Sequence, residues 1–338
     1  MRKAGVGWLS ALILFCGALF SVEKMVQAAA QPDLSVEMKL AEMKDKNVVG
    51  GEIGNFVRIR VSNIGSAAAS AYKVIVVLST NSAIVIDPSP NAPMATGRII
   101  GQRNMAHLPA GASEVLTISP LNIPGDISWG EYFITAVVDP FNMIVESNET
   151  NNRVQRHLFV MADASLIEQY YSSAGVFVGF IGKGFGNWKS SVSARVGSYT
   201  IATLAQNWTN TSVRAFPAPQ LIPVGTQSYE ASLYDGSKRI CPIRKISWGI
   251  FFASANPSSG PAGTQVMLGC YNCQAQGTKK LVLHDQNYQF VAEVPIVFWN
   301  NGQVVGTIPN VPPGSYFYMV TDGGELITHE WKVTFKVI

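Results

Sequence analysis

The sequence has little charge, little histidine and no long amphipathic helical pattern beyond its N-terminus. Asp, Glu, Lys and Arg together make up 14% of the 338 residues, against about 25% in an average soluble protein. The formal net charge is only +3, and no basic stripe of the kind that nucleic-acid binding requires stands out. Hydrophobic residues reach 47%, which is ample for several cores. Nucleic acid is therefore not an expected partner, and the length predicts two or three domains.

The sequence also lacks the residue patterns on which catalysis usually depends. It has no metal-binding histidine pair such as H-E-x-x-H, no G-x-S-x-G elbow and no phosphate-cradling loop. His284 precedes Asp285, but the residues that follow indicate a hairpin. The loop from Gly182 to Gly186 leads toward a strand, whereas a dinucleotide site needs a helix there. We therefore predict no enzymatic activity, no catalytic residue and no cofactor. The scattered histidines are His107, His157, His284 and His329.

The N-terminus has the features of an export signal. Arg2 and Lys3 precede an apolar stretch over residues 6–20, and small residues at 28–30 offer a cleavage site before Gln31. An uncleaved membrane anchor is the alternative, because the apolar run approaches spanning length. A lipoprotein is not favoured, because Phe15 stands before Cys16 where a small residue is needed. We expect an exported protein that is extracellular, on the cell surface or periplasmic.

Alternating apolar and polar residues predict a β-sandwich over residues 33–160. Val57, Ile59 and Val61 alternate with polar residues, and further strands are predicted at 72–78, 115–118 and 132–138. The pieces VRIRVSNIGSAAA, LPAGAS, GEYFITAVVDP and IVESNETNN, in this order and spacing, resemble the bacterial CARDB (cell-adhesion-related) module. The resemblance implies a β-sandwich of an exported surface protein, and it implies no particular ligand.

An internal repeat divides the remainder of the chain into two further sandwiches, over residues 163–248 and 250–338. In each copy a tryptophan is followed five residues later by valine, then by an Xaa-Pro turn (Phe216-Pro217 in the first copy), a glycine and a tyrosine. Asp-Gly lies six residues after Tyr229 in one copy and six after Tyr316 in the other, which predicts a hairpin in both. IGKGFGNW in the first copy, and NPSSGPAGTQVMLG and GTIPNVPPGSY in the second, resemble IPT/TIG immunoglobulin-like modules.

Three cysteines remain after the predicted signal, and export favours disulfides. Cys270 and Cys273 are separated by two residues, which allows a bridge across one turn. They do not form a haem site, because Gln274 stands where histidine is required, and the mature chain offers no second pair for zinc. We predict a Cys270–Cys273 disulfide. With that bridge formed, Cys241 would be left free; the competing pairing joins Cys241 to Cys270 or Cys273 across the module junction.

Two groups of residues could bind a ligand. One is an acidic-amide turn whose oxygens suit Ca²⁺, although Asp and Asn also favour turns for structural reasons; it comprises Asp139, Glu146, Asn148, Glu149, Asn151 and Asn152. The other is a set of aromatic residues in turn-like contexts, Trp188, Trp208 and Tyr271, which could stack on sugars or pack in the interior. For both groups we favour the structural interpretation.

The sequence thus predicts an all-β chain with a signal at 1–30 and three tandem immunoglobulin-like sandwiches. The function we expect is that of an exported adhesion or scaffold protein, which binds protein partners or assembles at the cell surface. Its partner would be a protein or a surface polymer. A carbohydrate-binding accessory protein is the alternative.

Overall fold

The chain folds into tandem immunoglobulin-like β-sandwiches, as the sequence predicts. A computed structural model describes residues 29–41, 47–84, 97–172, 175–215, 222–225, 227–328 and 333–338. Outside these ranges lie the Phe216-Pro217 turn and His329. Of the predicted signal, only residues 29 and 30 are described. Among the described residues, no helix has the length and apolar character to cross a membrane.

The first module packs a three-stranded sheet, β1-β2-β5, against a four-stranded sheet, β4-β3-β6-β7. A short 3-10 helix, Gly54–Phe56, precedes β2. Val57, Ile59 and Val61 are buried and Arg58 and Arg60 are exposed, which confirms the predicted alternation. The strands are β1 Leu34–Leu40, β2 Val57–Asn63, β3 Tyr72–Ser79, β4 Arg98–Met105, β5 Ser113–Leu116, β6 Gly130–Val138 and β7 Arg153–Val160.

The strands β3 and β6 are buried on both faces, which simple alternation does not predict. Ile134, Ala136 and Val138 face the main core, and Val137 on the opposite face forms a small cluster with Ile75 and Val77 of β3. The strand predicted at 115–118 is also displaced, since β5 ends at Leu116. Its register is set by pairing with β2, which places Leu116 opposite Ile59 inside the core.

In the second module, one long strand passes from one sheet to the other. The first half of β11 pairs with β10, and its second half pairs with β12 across an irregularity between Thr203 and Trp208. The whole assembly has the order β14-β13-β10-β11-β12-β9-β8, and β15 also pairs with β13. The strands are β8 Asp163–Ser172, β9 Gly175–Lys183, β10 Val192–Val196, β11 Tyr199–Trp208, β12 Ser212–Ala215, β13 Ser228–Asp235, β14 Lys238–Arg239 and β15 Arg244–Ser247.

The third module packs the sheet β16-β18-β22-β21 against the sheet β17-β25-β23-β19-β20, and β24 pairs with β23. Its core is a cluster of its own, separate from those of the first and second modules. The strands are β16 Phe251–Asn256, β17 Ser259–Gly260, β18 Gln265–Tyr271, β19 Lys280–His284, β20 Phe290–Val294, β21 Ile296–Trp299, β22 Gln303–Thr307, β23 Gly314–Asp322, β24 Glu325–Leu326 and β25 Thr334–Val337.

The repeat seen in the sequence corresponds to equivalent contacts in the second and third modules. Tyr229 and Tyr316 are both buried, and each hydroxyl donates to a proline carbonyl, of Pro223 at 2.9 Å and of Pro312 at 2.7 Å. Both predicted Asp-Gly hairpins are present, between β13 and β14 and between β23 and β24. A buried tyrosine whose hydroxyl is satisfied by nearby backbone can fill a core without an unpaired polar atom.

The first and second modules are joined through a turn that requires glycine. Gly184 has φ +73°, and a side chain there would lie 2.5 Å from Val49 Cγ2. Trp129 donates from its backbone N–H to Gly184 O at 2.8 Å and from Nε1 to Phe185 O at 2.9 Å. The indole also packs edge-on against Phe159, with the Lys189 ammonium 4.2 Å from its ring centre. These contacts hold the two modules in a defined orientation.

The second and third modules share buried residues at their junction. Phe251 belongs to the second core, whereas the preceding Ile250 belongs to the third. The amide of Gln169 makes two hydrogen bonds with the backbone of Gly249, at 2.7 and 3.1 Å. Only three residues separate β15 from β16, so no flexible linker separates these modules.

Candidate functional site

The acidic-amide turn of the first module is held by hydrogen bonds among its own residues. Asp139, at φ +42°, accepts from the backbone N–H of Ile144 at 2.7 Å. Glu149 accepts from the backbone N–H of Glu146 at 2.9 Å. The side-chain oxygen of Asn148 accepts from the backbone N–H of Thr150 at 3.0 Å. These are the local bonds by which Asp, Asn and Glu stabilise turns.

Glu146 connects this turn to the first strand. Its side chain is buried, and its two carboxylate oxygens accept from the backbone N–H of Leu34 and from Asn152 Nδ2, the latter at 3.0 Å. Burial raises the pKa of Glu146 to about 7; Glu149 and Asp139 add to the increase, and the two hydrogen bonds oppose it. Since Leu34 is fully buried, loss of this carboxyl would leave a buried N–H without an acceptor.

The acidic-amide turn has one feature that argues against calcium binding and others that favour it. Among the described residues, no group of three or more His, Cys, Asp or Glu side chains is arranged to hold a metal ion. The side-chain oxygens of Asn151 and Asn152, however, are buried without a hydrogen-bond donor in the described part of the chain. Asn152, Asp139 and Glu149 also line a common cavity of about 400 Å³. The structural turn, which we favour, and the calcium site, which is the alternative, therefore both stay predictions.

The structure joins Cys270 and Cys273 in a disulfide, which fits the predicted local bridge; their Cα atoms are 6.1 Å apart. The loop occupies the place that the glycine-aromatic turn has in the second module. There, Trp208 Nε1 donates to Gly186 O at 2.9 Å, and here Trp299 Nε1 donates to Gln274 O at 3.1 Å. In the second module Phe185 fills the core beside this turn, whereas in the third module Cys270, Asn272 and Cys273 are all buried.

Cys241 is free and buried in the second core. Burial raises the pKa of its thiol, and the neighbouring Ser232 hydroxyl and Leu233 N–H oppose that increase. A buried protonated thiol of this kind acts as a small apolar side chain rather than as a nucleophile.

The aromatic candidates do not form one exposed platform. Trp208 is buried and Tyr271 packs against the second core at the junction of the second and third modules. Trp188 is 38% exposed and lies beside Trp208 in a cavity of about 390 Å³. His284 is likewise buried, with Nδ1 3.0 Å from Tyr288 O, so its ring takes part in the hairpin that the sequence predicts.

The comparisons with known proteins identify the first module. Residues 31–156 match the CARDB family. Among solved structures, the chain is similar to the CARDB domain of a Pyrococcus furiosus protein in complex with di-metal ions, with 26% identity and a TM-score of 0.28. That match covers 39% of this chain and 90% of the other. The family match over residues 31–156 confirms the CARDB resemblance of the first module.

More distant structures cover most of the chain. The mixed-linkage glucan utilization locus protein SGBP-B of Bacteroides ovatus, in complex with a mixed-linkage heptasaccharide, is 12% identical, with 92% of this chain and 67% of the other covered and a TM-score of 0.26. The Escherichia coli adhesin FdeC is also 12% identical, with 91% and 98% covered and a TM-score of 0.21. No curated protein matches the chain.

Proposed function

We propose that the chain is an exported, non-catalytic adhesion or scaffold protein that binds protein partners or assembles at the cell surface. The observation that carries this proposal is the match of residues 31–156 to the CARDB family. We assign the second and third modules to the IPT/TIG type; the repeated tyrosine and Asp-Gly contacts support this assignment.

The junctions between modules support a scaffold role. Trp129 holds the first module to the second, and Gln169 with Phe251 holds the second to the third. Modules that are fixed in this way present surfaces at set distances, and a rigid carrier loses less conformational freedom when it binds. This geometry suits a protein that spans a distance between partners.

The proposal includes the absence of enzymatic activity and of a resident cofactor. The support is the lack, in the sequence, of a nucleophile-base pair or a metal-binding motif. The purified chain is expected to show no hydrolase, transferase or redox turnover. Reproducible turnover that one point mutation abolishes would contradict this part of the proposal.

The second candidate is a carbohydrate-binding accessory protein. The observation that favours it is the partly exposed indole of Trp188, which lines a polar cavity together with Asn187 and Asn210. One ring beside amide groups can stack on a sugar and hydrogen-bond its hydroxyls. Trp188→Ala would then abolish binding of the chain to its target surface.

The two candidates are separated by one experiment on native envelope. Labelled full-length chain is titrated onto envelope fragments that are untreated, digested with protease or oxidised with periodate. We expect protease to remove a saturable component of the binding, which indicates a protein partner. Binding that survives protease but is lost after periodate, and that Trp188→Ala also removes, would favour the carbohydrate candidate. Absence of saturable binding to untreated envelope would contradict both.

A further inference from the structure

The solvent face of the first sheet of the CARDB module carries a compact group of cations. Lys39 on β1 lies directly opposite Arg58 on β2, and Arg60 lies opposite Val115 on β5. All four side chains are exposed, and with Glu37 they line a cavity of about 200 Å³. We call these residues, Glu37, Lys39, Arg58, Arg60 and Val115, the basic face.

Within the part of the chain that the structure describes, the charges of the basic face are only partly neutralised, because Glu37 lies directly opposite Arg60 whereas Lys39 lies opposite Arg58. In the described residues, the side chains of Lys39, Arg58 and Arg60 take part in no ion pair or hydrogen bond. Like charges directly opposite each other in a sheet are unfavourable, and Lys39 and Arg58 stand in that relation. Glu37 is the one acidic group among them, so the basic face keeps a net charge of about +2 at neutral pH.

We propose that the basic face binds an acidic polysaccharide, whose carboxylates pair with Arg58, Arg60 and Lys39. This inference rests on the proposed surface-binding function and adds a second ligand, a surface polymer, to the protein partner of that function. An anion above the Lys39–Arg58 pair relieves their repulsion, and each guanidinium can hold a carboxylate with two parallel hydrogen bonds. The exposed methyl groups of Val115 provide an apolar contact for the C–H face of a sugar ring.

The composition of the basic face favours a polysaccharide over other anions. The centre of a protein–protein interface is rich in aromatic residues, methionine and arginine and depleted of lysine and glutamate, whereas this face has Lys39 and Glu37 and no aromatic residue. Single-stranded nucleic acid needs aromatic rings on which its bases stack, and none lines this cavity. The basic face spans three neighbouring strands, so an extended polymer can lie across several of them at once.

The test measures binding of the full-length chain to polygalacturonate, with dextran and polyglutamate as comparison polymers. We expect the triple variant Lys39→Gln/Arg58→Gln/Arg60→Gln to weaken binding to polygalacturonate by about tenfold or more. The slope of log K against log salt should become shallower by about 2, because three charges no longer displace counterions. The variant Arg58→Lys/Arg60→Lys, which keeps the charge, should keep that slope.

A matched control removes three exposed charges from the other modules, Arg244→Gln/Lys245→Gln/Lys336→Gln. Its net charge equals that of the triple variant, and it should bind polygalacturonate like the wild type. Equal loss in both variants would overturn the proposal, because the effect would then come from net charge alone. Equal or tighter binding of polyglutamate would overturn it in favour of an acidic protein partner.

The outcome for this face can be separated from the outcome for the proposed function. Both variants are also titrated onto native envelope fragments. Absence of polygalacturonate binding together with saturable envelope binding would end the polysaccharide proposal and leave the adhesion role in place. An unchanged circular dichroism spectrum and melting temperature of the triple variant, expected for exposed residues, ensure that lost binding is not lost folding.

Discussion

Glu146 makes the stability of the first module depend on pH in a direction opposite to that of an ordinary paired carboxylate. Its pKa is close to 4.5 in the unfolded chain and about 7 in the fold. Between these values the folded state keeps a proton that the unfolded state has lost, so stability falls as pH rises from about 4.5 to about 7 and is level above that. The interval sets an upper limit of about 3 kcal/mol, and solvent screening around the turn lowers the expected loss to about 1–3 kcal/mol.

The variant Glu146→Gln removes this titration, and hydrogen exchange of the β1 peptide in the whole chain measures the result. The quantity compared is the hydrogen-exchange protection of β1 in the wild type divided by that in the variant. This ratio should fall about 5- to 150-fold between pH 5 and pH 8, because 1.4 kcal/mol corresponds to a factor of ten. The exposed Glu230→Gln on β13 is the control, and its ratio to wild type should not change with pH. If wild-type β1 instead gains protection relative to Glu146→Gln as pH rises, Glu146 is ionised in the fold and the reasoning is refuted.

Three further predictions concern the disulfide, calcium and the first junction. A non-reduced digest analysed by mass spectrometry should contain the local Cys270–Cys273 loop, and a peptide joining Cys241 to either cysteine would contradict it. Millimolar Ca²⁺ should raise the melting temperature by less than about one degree, because the gain grows only as RT ln(1 + [L]/Kd); a rise of several degrees that Glu146→Ala removes would establish a calcium site. Trp129→Ala removes the contacts of the indole with Phe185, Phe159 and Lys189. It should therefore broaden the distribution of interatomic distances obtained from small-angle X-ray scattering. An unchanged distribution would show that the junction does not depend on this residue.

The sequence predicts those parts of the fold in which one face of a strand is buried. The alternation of Val57, Ile59 and Val61 is such a case, and so are the two Asp-Gly hairpins, whose glycines Gly236 and Gly323 have φ near +58°. The cluster of Ile75, Val77 and Val137 is not predicted, because a strand buried on both faces loses the period of two. The end of β5 depends on pairing with β2, which is a long-range contact and leaves no local pattern.

The candidate site is only partly predictable for the same reason. The acidic residues of the turn are visible in the sequence, but burial of Glu146 depends on Leu34, which lies 112 residues earlier in the chain. The role of Trp129 at the junction depends on Gly184 and Phe185 of the next module. The basic face likewise needs the register of β1 against β2, since Lys39 and Arg58 are not close in sequence.

Export is the premise on which surface binding, the disulfide and the polysaccharide all depend, and it rests on residues 1–30. Fractionation of native cells followed by N-terminal sequencing of the chain tests it most directly. We predict a processed chain that begins near Gln31 and is recovered outside the cytoplasm. Recovery of the chain from the cytoplasm with Met1 retained would contradict the account.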